Sequence, residues 1–176
     1  MRGLFRIQVI VAAGAILLAR SVVADDWPYY QHDAWHTGNS NASVNPQALA
    51  FAWTAPSPPP STTGYSTPVI VGNTIYAMQG INGSQAMVSS FDIWTGAINW
   101  SYIAKLDGPT APGVGGGFVT FAGTTDSGSF LYVLDAKAGT LLYTVPTSKG
   151  LTAMMPTVVQ DKISGKVTAL SLIPDK

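Results

Sequence analysis

Two histidines, His32 and His36, flank Asp33, and at positions i and i+4 of a helix such a pair could hold a metal ion. Pro28 and Gly38 bracket them, so the segment reads as a loop with no evident third ligand. Gly113-Val114-Gly115-Gly116-Gly117 has the composition of a phosphate-cradling loop. Such loops lead into a helix whose first N–H groups face the anion. Here Phe118-Val119-Thr120-Phe121 follows and reads as a strand, which assigns the glycines to a hairpin. Asp92, Asp107, Asp126 and Asp135 invite comparison with the paired carboxylates of acid–base catalysis. Asp107-Gly108-Pro109 and Asp126-Ser127-Gly128 are turn sequences, and Asp92 and Asp135 hold equivalent places in a repeat, so turn roles account for all four. Trp27, Trp35, Trp53, Trp94 and Trp100 could line a carbohydrate or quinone site. Trp100 is better explained as packing between sheets, and Trp94, inside a turn, is singled out as a ligand contact. These readings assign no catalytic residue and no metal ligand. Asn41, Asn82 and Asn99 each open a glycosylation sequon, relevant only if the host glycosylates exported proteins.

The elements that must position these residues follow an export signal. Arg2 and Arg6 precede an apolar run over Ile7–Ala19, and Val22-Val23-Ala24 suits cleavage after Ala24. The run falls short of the ~20 residues that span a bilayer. Residues 1–24 are therefore predicted to be a signal peptide, and the mature chain to be secreted or periplasmic with no later membrane span. The chain has no cysteine, so burial and hydrogen bonds alone must hold it. Charged residues make up 10% of the 176, against roughly 25% in an ordinary domain. Net charge is zero and no basic stripe exists, which argues against a nucleic-acid partner.

A repeat organises the rest. Pro68, Pro112 and Pro156 stand 44 residues apart, while Asp92 and Asp135, Gly96 and Gly139, and Trp100 and Tyr143 are pairs 43 apart. Four short strands are predicted in the first copy, over 68–71, 74–79, 86–92 and 97–102. Gly72-Asn73 and Gly116-Gly117 suit tight hairpins, and Gly80–Gln85 and Thr124–Ser129 read as longer hairpin loops. Valine, isoleucine, leucine and aromatics fill the strands, as expected of sheets packed on both faces. In the third turn Asp92 can fold its carboxylate over the following N–H groups, Gly96 can end the turn with positive φ, and Trp100 follows on the next strand.

Ser90-Phe91-Asp92-Ile93-Trp94-Thr95-Gly96-Ala97-Ile98-Asn99-Trp100 resembles the tryptophan-docking motif of the pyrroloquinoline-quinone (PQQ)-like propeller repeat, Ala-x-Asp-x-x-Thr-Gly-x-x-x-Trp. Asp92, Thr95, Gly96 and Trp100 match, and Ser90 replaces the alanine. The second copy keeps Asp135 and Gly139 but has Val133, Ala138 and Tyr143 at the alanine, threonine and tryptophan places. The opening Asp26-Trp27-Pro28 through Gly38 is similar to the segment that precedes such propellers, with His36 where arginine is common.

The resemblance implies an all-β fold, a partial β-propeller of four-stranded antiparallel blades. Two blades are whole, at about 67–103 and 111–146, and a third at 155–176 is incomplete. Residues 25–66 would be an N-terminal arm with one strand, Leu49–Thr54, and a proline-rich linker, Ala55–Ser66. Propellers have about four to eight blades, so remaining blades or other chains would be needed to close one. The function implied first is a non-catalytic binding or scaffold module, with a protein or small-molecule partner that the sequence does not name. The alternative is the N-terminal part of a PQQ-dependent alcohol or sugar dehydrogenase, with calcium and quinone at the propeller axis. No residue here matches a known ligand of that calcium or quinone, and the vicinal cysteines common in those enzymes are missing.

Overall fold

A computed structural model describes residues 26–28, 47, 50–55, 64–106, 110–147, 156–160 and 167–170. The predicted signal peptide, His32, Asp33, Trp35, His36, Asn41, Asp107 and most of the proline-rich linker lie outside them.

The described chain is all-β, with two four-stranded antiparallel sheets, one two-stranded sheet and no α-helix. The first sheet is β1 (Val69–Val71), β2 (Thr74–Asn82), β3 (Gln85–Asp92) and β4 (Ile98–Ala104), paired in chain order. The second repeats that order with β5 (Gly113–Gly115), β6 (Phe118–Thr125), β7 (Gly128–Asp135) and β8 (Leu141–Thr147). β9 (Thr157–Gln160) and β10 (Val167–Leu170) form a two-stranded antiparallel sheet, and β9 lies beside β5. Among the described residues no sheet closes on itself.

The first two strands of each sheet meet through two-residue turns at 72–73 and 116–117, as the Gly-Asn and Gly-Gly dipeptides require. The next hairpins are tighter than the sequence suggests. β2 runs on to Asn82 and β6 to Thr125, leaving turns only at 83–84 and 126–127. Short polar side chains tighten them. Asn82 Oδ1 accepts from the Ser84 N–H at 3.0 Å, and Thr125 Oγ1 accepts from the Ser127 N–H at 3.2 Å.

One core fills the seam between the sheets. Tyr76, Met78, Ala86, Val88 and Ala104 come from one face of the first sheet, and Val119, Phe121, Tyr132 and Leu134 from the facing side of the second. Phe121 stacks on Tyr132 with ring centroids 4.9 Å apart, a contact worth about 1 kcal/mol beyond its buried area. Leu106, just past β4, lies against Gly123, where any side chain would strike it. The first strands of both sheets, β1 and β5, are tied by the arm. Trp27 exchanges backbone hydrogen bonds with Ile70 at 2.6 and 2.7 Å, and the Val114 N–H donates to the Pro28 carbonyl at 3.0 Å.

The strand predicted over Leu49–Thr54 is not formed at residues 50–54. A strand needs a hydrogen-bonded neighbour, and no described strand pairs with this stretch. Its attachment is made by a side chain instead, that of Trp53.

Candidate functional site

Two turns share one hydrogen-bond plan. In the first, Asp92 Oδ1 accepts from the N–H groups of Trp94 and Thr95 at 3.0 and 2.8 Å, and from the Thr95 hydroxyl at 2.9 Å. In the second, Asp135 Oδ1 accepts from the N–H groups of Lys137 and Ala138 at 2.9 and 2.7 Å. Ala138 has no hydroxyl, so the third bond is missing there. The Gly96 and Gly139 N–H groups donate to the Asp92 and Asp135 carbonyls, each at 2.9 Å. Both glycines have positive φ, 71° and 69°. The two hydrogen bonds from Thr95 hold the Asp92 carboxyl below its ordinary range.

Each turn receives an indole from the preceding stretch of chain. Trp53 Nε1 donates to the Ile93 carbonyl at 2.9 Å, and Trp100 Nε1 donates to the Ala136 carbonyl at 3.0 Å. These carbonyls belong to the residues directly after Asp92 and Asp135. Each ring lies flat over the turn glycine. A Cβ on Gly96 would come within 2.6 Å of Trp53 Cδ2, and one on Gly139 would collide with Trp100 Cδ2. The glycines therefore serve twice, by backbone conformation and by leaving room for the ring.

A β-bulge aims Trp100. Phe91 pairs with Ile98 but Ser90 pairs with Trp100, so Asn99 is the extra residue. The one-residue shift puts Trp100 on the face of Tyr76 and Ser90, toward the second sheet. Its ring lies 5.9 Å from that of Tyr76. Burial raises the Tyr76 phenol above its ordinary value, the Asp135 charge adds to this, and a hydrogen bond with Thr74 opposes it. The second sheet carries the same bulge, with Val133 opposite Tyr143 and Leu142 extra. Tyr143 thus repeats the place of Trp100, yet it is 64% exposed, and no described turn receives it.

The seam between the sheets opens into a cleft at each end. One, of about 550 Å³, lies at the docking turn, lined by Ser90, Asn99, Trp100, Asp135 and Lys137 among others. The other, of about 580 Å³, lies between the 83–84 and 126–127 turns. Ser84, Gln85, Lys105, Thr124, Thr125, Asp126, Ser127 and Thr144 give it a polar wall, and Phe130 and Tyr132 an aromatic one. In sequence those loops carry only hairpin-connector signals. Their equal positions in consecutive repeats were the signal that they meet at one end of the seam.

Trp94, expected to contact a ligand, is 61% exposed at a turn and lines neither cleft. Among the described residues no group of three or more His, Asp or Glu side chains converges, and Asp92 and Asp135 are engaged by turn N–H groups. Among the described residues no donor set fits a calcium and quinone centre. No helix among the described residues is long and apolar enough to cross a membrane. No protein-family model matches the chain, and no curated protein matches it.

Proposed function

We propose that the chain is an exported protein of the PQQ-like β-propeller type, acting as a non-catalytic binding or scaffold module. The two four-stranded sheets are then successive blades. One observation carries this reading: the docking relation is serial. Trp53 seats on the first Asp-to-Gly turn, Trp100 on the second, and Tyr143 stands in the next place of the series. A relation that repeats from sheet to sheet builds an array in which each sheet needs a neighbour. Leu131, Val133, Tyr143 and Val145 share the face that continues the series, and a further blade, of this polypeptide or of another chain, covers it. The engagement of Asp92 and Asp135 in turns supports a non-catalytic role for this part of the molecule.

A crystal or cryo-electron-microscopy structure of the full-length secreted protein tests the architecture. The expected result is a ring of four-stranded sheets with Tyr143 seated on another Asp-to-Gly turn. Two sheets facing each other as a sandwich, with Tyr143 in solvent, would overturn it. Incubation with PQQ and calcium, followed by dye reduction with alcohols or aldoses, tests the non-catalytic half. Sustained dye reduction would show a quinoprotein dehydrogenase instead.

A further inference from the structure

We propose that the cleft between the β2–β3 and β6–β7 hairpins binds a neutral oligosaccharide. Its volume of about 580 Å³ falls within the ~300–1,000 Å³ common for small-molecule sites. Hydroxyl-bearing residues make up much of its polar wall, among them Ser84, Thr125, Ser127 and Thr144. A hydroxyl both donates and accepts, so those of Thr144 and Ser127, with the spare acceptor capacity of Ser84, suit the hydroxyl groups of a sugar. Phe130, half-buried on the wall, offers a ring against which the C–H face of a pyranose can lie.

Competing ligand classes fit less well. Lys105 and Asp126 are the two charged groups of the lining, so their charges cancel and favour neither anion nor cation. An apolar ligand would strip water from the hydroxyls without replacing its hydrogen bonds. The wall is also held in place before any ligand arrives. Thr125 Oγ1 lies 2.8 Å from Ser127 Oγ, and the Tyr132 hydroxyl donates to the Lys105 carbonyl at 3.3 Å. A pre-formed wall loses little affinity to ordering. The site is built by two adjacent sheets alone, so it stands independently of how many sheets follow.

The test is calorimetric titration and saturation-transfer NMR on the full-length protein, with maltotriose, cellotriose and chitotriose as probes. At least one trisaccharide is expected to bind saturably. Ser127→Ala and Thr144→Val, both at exposed positions, should each weaken it roughly tenfold while leaving the circular dichroism spectrum unchanged. Trp94→Ala should leave binding unchanged. Failure of all three sugars at millimolar concentration would overturn the proposal. So would undiminished binding in both cleft variants.

Discussion

Replacing Gly139 with alanine probes the docking turn most directly, because Gly117→Ala supplies an internal reference. Both glycines have positive φ, 69° and 82°. An alanine held there costs about 1–2 kcal/mol in either place. A Cβ on Gly117 meets no atom within 4 Å, so strain is the whole cost there. A Cβ on Gly139 displaces the Trp100 ring. That breaks the 3.0 Å hydrogen bond to Ala136, worth about 1 kcal/mol, and the contact with Tyr76, worth about 0.5–1.5 kcal/mol. Gly139→Ala should therefore be less stable than Gly117→Ala by about 2 kcal/mol. With a urea dependence of about 1–3 kcal/mol per molar, their unfolding midpoints should differ by roughly 1 M. Urea unfolding of the two variants, followed by tryptophan fluorescence and circular dichroism, gives the comparison. The excess should also vanish in a Trp100→Ala background, where no ring remains to displace. Equal midpoints for the two glycine variants would refute the view that the ring and the turn are coupled.

Trp100→Phe keeps a ring over the turn but removes its donor, so the same urea experiment should show a loss of about 1 kcal/mol. Trp100→Ala removes the ring as well and should cost about 3–5 kcal/mol. Asp92 bears on acid stability. Its folded-state carboxyl is held below the ordinary range, so its contribution is present above the unfolded value and is lost as pH falls through the folded one. Asp92→Asn should thus flatten the acid limb of stability below about pH 4, measured by urea midpoints at stepped pH. Trp94→Ala should shift the urea midpoint by less than about 0.5 kcal/mol equivalent, since the side chain stands mainly in solvent.

The hairpin plan and the turn chemistry were legible in the sequence because both are local. The dipeptides at 72–73 and 116–117, and the Asp-to-Gly spacing at 92–96 and 135–139, constrain backbone within a few residues of themselves. Trp100 was legible as an inter-sheet contact for the same reason, through its fixed distance from Gly96. Its acceptor was not legible, because the carbonyl of Ala136 carries no side-chain signature and lies 36 residues away. The bulge at Asn99 was also hidden. A strict alternation of faces would have aimed Trp100 away from the second sheet, and only the pairing of Ser90 with Trp100 shows the slip. The ends of the longer hairpins differ from the sequence expectation because glycine and serine there carry loop signals. The Asn82 and Thr125 side chains instead fold the turns down to two residues each. The cleft has a weaker signal: only the equal repeat positions of the 83–84 and 126–127 turns bring its two sides together, and nothing local to either turn marks it.

The chain-order pairing of strands has a consequence for biosynthesis. Every backbone ladder of the first sheet joins consecutive strands, so that sheet can form as soon as Ala104 is free of the machinery that delivers it. Trp100 is then already in position, but its seat is not completed until Gly139 has followed. Between those two moments the nascent molecule displays an uncovered indole beside a finished platform. The length of that exposure is therefore set by the stretch of chain between the aromatic and the turn that will shelter it, here from Trp100 to Gly139.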